Sequence, residues 1–350
     1  MILDEVPVPV VLAPLAGGPS TPELAAAVCE AGGLGFLAAG YLRPDALGTA
    51  LDRLAGLTAR PYGVNVFVPG APSDPDRVAP YVDLLAGEAD RYGVELGRPR
   101  FDDDGWADKL ALVEERRVPV VSFTFGCPPA AVVDRLRTAG SEVWVTVTTP
   151  EEAAQAVRAG ADVLVAQGVE AGGHRASFTD ADDATDYGVL ALVQLLGRTV
   201  DVPVVAAGGL ATGAAVAAVL CAGARAAQLG TAFLGCPEAG TAQVHRDALA
   251  ESTPTALTRA FTGRTARGIR NRFMDRYGAR APRAYPEVHF ATAPLRAAGR
   301  AAGDPGVVNL WAGQTHALVP SRPAAELVRT LAAEARTAAA GALDRLGRPA

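Results

Sequence analysis

The chain has 350 residues, 49% of them hydrophobic and 20% charged, with a net charge of −6. That balance excludes a disordered chain and allows a large buried core. It also argues against a nucleic-acid or anionic-membrane binder, whose footprint would be a basic face.

From the N-terminus, short β-branched runs alternate with alanine-rich helical runs. Strands are expected over 10–16, 34–40, 62–68, 119–125, 142–148, 162–168, 202–207 and 224–229. Helices are expected between them over 21–31, 44–57, 129–139, 150–159 and 211–222. Most open on proline or a Ser/Thr cap, and several stop at glycine (Gly32, Gly140, Gly160, Gly223). Strands apolar on both faces and separated by helices imply a parallel sheet. Eight such units fit a closed (β/α)8 TIM barrel, with an open doubly wound sheet as the alternative. The barrel is favoured further by the first strand's end. It reads Ala13-Pro14-Leu15-Ala16-Gly17-Gly18, without the Gly-x-Gly-x-x-Gly fingerprint of a dinucleotide fold.

Two stretches break the pattern. Residues 95–105 are irregular and carry Asp102-Asp103-Asp104, which reads more readily as a solvated turn than as a metal site. Residues 238–305 are rich in arginine and proline. They are expected to form an inserted, mostly helical (α+β) domain at the barrel mouth, before a last helix over 323–346. Residues 1–237 and 306–350 would then form the barrel. Arginines 264, 267, 270, 272, 276, 280 and 283 crowd the insertion and read as a solvated or ion-paired face.

The cysteines (Cys29, Cys127, Cys221, Cys236) are scattered, with no Cys-x-x-Cys pair, so buried reduced thiols are expected rather than zinc. No run of eighteen apolar residues marks a membrane span, and the acidic opening Met1 to Glu5 does not suit a signal peptide. A cytoplasmic protein without membrane or nucleic-acid partners is expected, with homo-oligomerisation left open.

Glycines gather where a barrel keeps its active site. Ala207-Gly208-Gly209-Leu210 follows the seventh strand, and Gln228-Leu229-Gly230-Thr231 closes the eighth. Loops after these two strands form the usual phosphate site of barrels, with helix N-termini directing amides at the anion. The sixth strand runs into Gln167-Gly168-Val169-Glu170-Ala171-Gly172-Gly173-His174-Arg175. An imidazole on a flexible Gly-Gly loop, with an ordinary pKa near 6.5, suits proton abstraction at neutral pH. Glu170 could orient it or bond a neighbouring loop. No Gly-x-Ser-x-Gly or Cys–His arrangement competes.

These motifs together resemble the nitronate monooxygenases. The resemblance rests on Ala13 to Leu24, on Gly63-Val64-Asn65-Val66-Phe67-Val68-Pro69 and on the Gln167–Arg175 segment. Gly208 to Gly213 and Gln228 to Thr231 are similar to that family's flavin phosphate loops. Gly263-Arg264 to Met274, Tyr285-Pro286 and Leu310-Trp311-Ala312-Gly313-Gln314 are similar to its later motifs. The resemblance implies a barrel holding FMN non-covalently. Ala13, Pro14, Leu15, Asn65, Gln167, Gly172, Gly173, Gly208, Gly209, Gln228, Leu229, Gly230 and Thr231 would lie against it. His174 would be the catalytic base, and Trp311 and Gln314 would face the substrate. The implied reaction is oxidation of alkyl nitronates by O2, with a cationic His174 or a lid arginine holding the anion. The alternatives are an NAD(P)H-dependent enoyl-acyl-carrier-protein or quinone reductase and a flavin-binding protein without turnover. Leu15 and Ala176 depart from the commoner methionine and glycine, which bears on packing and on substrate fit.

Overall fold

The computed structural model describes residues 1–181, 185–251 and 253–347. Its first nine strands are β1 (Val10–Leu12), β2 (Phe36–Ala38), β3 (Gly63–Phe67), β4 (Val120–Thr124), β5 (Glu142–Val147), β6 (Val163–Gln167), β7 (Gly173–His174), β8 (Val204–Ala207) and β9 (Ala226–Leu229). All except β7 fall inside the expected spans and form one parallel sheet in the order β1-β9-β8-β6-β5-β4-β3-β2. The ring closes at Leu34, whose carbonyl accepts from the Leu12 amide at 2.9 Å and whose amide donates to Val10 at 3.0 Å. The sheet is therefore a TIM barrel, and the open doubly wound alternative is excluded.

Period-two alternation then decides which side chains fill the barrel. Val11, Phe36, Val120, Trp144, Val163, Val165 and Val205 form one buried cluster, closed below by Ile2 and Leu3 of the first helix, Ile2–Glu5, and by Val6 after it. Gly63 makes room there: a Cβ on it would lie 2.3 Å from the Phe36 ring. The alternate residues Val10, Leu12, Val64, Val121, Val143, Val145 and Leu164 belong to the cluster shared with the surrounding helices. At the C-terminal ends of the strands the inward positions turn polar, with Asn65, Thr124, Thr146, Gln167 and Gln228 around one cavity. Apolar packing seals one end of the barrel, and the polar layer marks the other as the working end.

Beyond β9 the chain builds a second core. Strands β10 (Thr255–Thr258) and β11 (Ala266–Ile269) pair antiparallel, and β7 joins their edge, with Ala266 opposite His174. Phe261, Phe273, Tyr277, Val288 and Leu295 pack with Val78, Tyr81 and Leu85. The latter come from the helix Pro75–Leu84 and its junction with the helix Ala86–Tyr92, between β3 and β4, which the hydropathy pattern does not connect to this region. Glu88, almost wholly buried, accepts from Arg272 at 2.5 Å and from the Tyr277 hydroxyl at 3.1 Å. Among the described residues no helix is long and apolar enough to cross a membrane, and no cluster of three or more His, Cys, Asp or Glu is placed to hold a metal.

Candidate active site

The cavity at the strand ends measures about 380 Å³, within the range of small-molecule sites. Ala13, Pro14 and Leu15 after β1, Asn65 of β3 and Gln167 of β6 line it. So do Gly172, Gly173 and His174, the Gly208-Gly209 pair, and Gln228, Leu229, Gly230 and Thr231. Trp311 reaches it from the segment after the second core, whereas Gln314 is exposed and lies outside the lining. The contact at that point is made instead by the neighbours Gly313 and Thr315.

Hydrogen bonds set the shape of the β6–β7 loop. Gln167 donates through Nε2 to the His174 carbonyl at 3.1 Å, and its Oε1 accepts from the Ala176 amide at 2.9 Å and from Arg175 at 3.1 Å. Glu170 does not orient His174; it accepts from the Val189 amide at 3.0 and 3.1 Å, at the start of the helix Val189–Leu196. Gly172 is required by packing, since a Cβ there would lie 2.4 Å from the Gly313 amide.

The His174 ring stands between Phe125, Tyr285 and Trp311, with centroids 5.5, 5.6 and 5.6 Å away. Its Nε2 lies 2.9 Å from Thr262 Oγ1, and that hydroxyl donates to the Arg264 carbonyl at 3.2 Å. With the hydroxyl proton on that carbonyl, the oxygen accepts from the ring, an arrangement that puts the histidine proton on Nε2 and leaves Nδ1 as the basic atom. Burial, reinforced by the Arg264 guanidinium, pushes the ring's pKa down to about 3. Of the two cations the sequence offered, a charged His174 or a lid arginine, the histidine is the neutral one. The positive field comes from arginine. Arg264 sits 4.1 Å over the Phe125 ring, buried Arg296 bonds Thr292 and the His289 carbonyl, and Arg300 lines the cavity.

The arginine-rich stretch divides in two. Arg270 and Arg272 are ion-paired to Asp275 and Glu88, as a charged face would be. Arg264 and Arg267 are buried, and Arg267 donates to the Val169 carbonyl at 2.9 Å, joining β11 to the β6–β7 loop.

Both glycine loops are left-handed or tight where they meet the cavity. Gly208 and Gly209 have φ of +118° and +65°, and a Cβ on Gly209 would lie 2.9 Å from Glu170 Cβ. The following helix, Gly213–Cys221, does not offer its N-terminus to the cavity. Thr212 caps the Ala215 amide at 3.2 Å, and Glu334 of the last helix, Ala324–Leu346, accepts from the Gly213 amide at 2.9 Å. The expected helix-end contribution at this loop is therefore already used internally, and the glycine backbone itself faces the cavity.

Several lining residues lie outside the sequence reading. Thr124 and Thr146 share the inward register of Asn65 and Gln167, so their period-two position was the available signal. Tyr41 and Phe125 carry φ of +67° and +76°, conformations that side chains with a Cβ rarely adopt and that no residue type announces. His245 also lines the cavity, its Nε2 3.0 Å from the Trp311 carbonyl.

Three rings, buried or half-buried, have folded pKa values below the 6.5 of a free imidazole: His174 about 3, His245 about 4 and His289 about 2, in each case through desolvation first. Between those values and 6.5 the unfolded chain binds more protons, so acid favours unfolding. Stability is expected to be flat with respect to these rings above pH 7 and to fall as the pH drops below 6.5. Thermal melts at pH 7.5 and pH 5 check this, and equal midpoints would mean that the rings ionise in place.

Comparison with known proteins agrees with this geometry. The family model described as nitronate monooxygenase matches residues 3–334. A nitronate monooxygenase from Pseudomonas aeruginosa is 42% identical over 342 residues, covering 94% of this chain and 96% of the relative. A solved nitroalkane oxidase from Streptomyces ansochromogenes superposes with a TM-score of 0.95 at 52% identity, covering 98% of this chain and 99% of that one. FabK from Thermotoga maritima is similar at 27% identity and a TM-score of 0.74, over 99% of this chain and 97% of that one.

Proposed function

The chain belongs to the nitronate monooxygenase family, and from that premise we propose that it oxidises alkyl nitronates with O2 on a bound FMN. The observation that carries the reading is a single cavity of about 380 Å³ uniting two glycine loops, a polar barrel layer and a neutral histidine under an aromatic wall. The 52% identity to a nitroalkane oxidase supports the broader class of aliphatic nitro compounds and their anions.

The residues present fit a flat cofactor with one terminal phosphate. Gly17 and Gly173 line the cavity with φ of +85° and +77°, and a Cβ on either would meet no atom within 4 Å. Side chains at these two points would occupy open space that glycine leaves clear. Asn65 makes its three hydrogen bonds through Nδ2, to Ser122 and Thr124, which leaves Oδ1 to accept from a ligand N–H. Gly208-Gly209 and Gly230-Thr231 would bring backbone amides to the phosphate, and Ala13, Pro14 and Leu15 would border the ring system. When bound, the flavin supplies the oxidation chemistry and the reaction with oxygen.

The chain's own groups set which substrate is favoured. A nitronate arrives already deprotonated and negatively charged. Neutral His174 neither repels it nor needs to remove a proton, while Arg264, beside the cavity, and Arg300, in its lining, supply a positive field. A ring with pKa about 3 is a weak base, so a neutral nitroalkane is the poorer substrate. Atoms balance for either nitrogen product. One nitronate and one O2 give a carbonyl compound and nitrate, and two nitronates with one O2 give two carbonyls and two nitrites. We further read residues 238–305, with the second core, as the lid that narrows the cavity mouth.

The likeness to FabK keeps one competing reading, reduction by NAD(P)H. Anaerobic stopped-flow mixing separates the two. Ethyl or propyl nitronate is expected to bleach the bound flavin rapidly, whereas NADH and NADPH bleach it slowly or leave it oxidised. Fast bleaching by either nicotinamide with no response to nitronate would replace the oxygenase by the reductase.

A further inference from the structure

Tyr41 follows β2 and lines both the main cavity and a neighbouring one of about 90 Å³. Its φ of +67° is unfavourable for a residue with a Cβ, so something must hold it. The ring is set by three contacts. It stacks on His289 with centroids 4.2 Å apart and planes 4° apart, and meets the edge of Phe67 at 5.5 Å. Its hydroxyl accepts from the Tyr285 hydroxyl at 3.1 Å, and the Tyr285 ring stands 5.6 Å from His174.

The backbone is held from the three-aspartate run. Asp102 Oδ1 accepts from the Asp104 amide at 2.8 Å, and Asp103 Oδ1 from the Gly105 amide at 3.0 Å. This turn presents Asp104 to two donors. Its Oδ1 accepts from the Tyr41 amide at 2.9 Å, and its Oδ2 lies 2.7 Å from Lys109 Nζ. Lys109, in the helix Trp106–Glu115, is wholly buried and is the one lysine in the sequence. Its side chain does not line the main cavity. A buried ion pair adds little stability over well-packed apolar residues. An apolar pair, however, would leave the Tyr41 amide without its acceptor.

We propose that Asp104 and Lys109 are positioning residues: their ion pair holds Tyr41 left-handed and, through it, sets the Tyr41–Tyr285 wall against His174. The proposal rests on the cavity as the nitronate site, and it assigns work to a motif that otherwise reads as a solvated turn. Removing the lysine strands a buried carboxylate and lets the turn shift, so the wall, rather than the reacting atoms, is disturbed.

Lys109→Met is expected to raise KM for ethyl nitronate on the order of tenfold while kcat changes less than about twofold, measured well below the melting temperature. In a Tyr41→Gly background, where the strain and the ring are both gone, Lys109→Met should add nothing further to KM. The neutral pair Lys109→Met with Asp104→Asn keeps an acceptor for the Tyr41 amide and should recover most of the wild-type KM. If Lys109→Met does not fold, Asp104→Ala, which removes the acceptor of the Tyr41 amide, is read in the same way. A lower melting temperature with unchanged KM, or losses that add in the Tyr41→Gly background, would overturn the proposal. A readout free of turnover separates its failure from that of the substrate assignment. Crystals of Lys109→Met should have residue 41 relaxed to negative φ, and a retained positive φ would sink the positioning role whatever the substrate.

Discussion

His174→Asn should lower turnover of neutral nitroalkanes on the order of 10²–10⁴-fold while FMN stays bound and turnover of preformed nitronate falls much less. The difference follows from what each substrate asks of the ring. A nitroalkane must lose a proton, and the atom that would take it is Nδ1, because Nε2 is committed to Thr262 at 2.9 Å. A nitronate asks only for a neutral surface of the right shape. Asparagine keeps some of that surface and can still bond Thr262, but it cannot accept the proton. Burial has already depressed the ring to about 3, so the wild-type base is weak and the loss should fall toward the lower end of the range. Steady-state assays with nitroethane and ethyl nitronate, normalised to flavin content, decide it. Equal losses on both substrates would mean that His174 places the substrate or tunes the flavin.

The same residue illustrates what could be read from the chain alone. His174 stood out because it follows two glycines at the end of a barrel strand, a local signal. Its proton was not legible, because it is assigned by Thr262, 88 residues away. The barrel strands were legible for a comparable reason. Strands buried on both faces read as unbroken apolar runs, and each needs only its own residues to be recognised. The second core was not, because Val78 and Tyr81 meet Phe273 and Val288 from more than half the chain away, and Glu88 meets Arg272 at a separation of 184. Gln314 was placed in the right segment but the wrong register, and Gly313 and Thr315 beside it make the contact. Asp104 was set aside as part of a turn, since nothing local tells that its carboxylate bonds the amide of Tyr41.

Gly209→Val should yield mostly apoprotein, with bound flavin below about a tenth of wild type. Two independent effects act at this position. At φ +65° a β-branched side chain is strained in any surroundings, and a Cβ would stand 2.9 Å from Glu170 Cβ. Glu170 cannot retreat freely, because both of its carboxylate oxygens accept from the Val189 amide. The loop after β8 must therefore move, and the direction open to it is toward the cavity it lines. The adjacent helix end offers no substitute anion site, since Glu334 and Thr212 already take the Gly213 and Ala215 amides. Binding would then depend on the loop after β9 alone. The barrel core is untouched by the change, so the variant apoprotein should still fold, with a melting temperature lowered by the local strain, and the larger deficit should appear in flavin content. The ratio of flavin absorbance to protein absorbance after gel filtration measures it. Full flavin content in a folded Gly209→Val protein would remove the loop after β8 from the phosphate site and leave Gly230 and Thr231 as its centre.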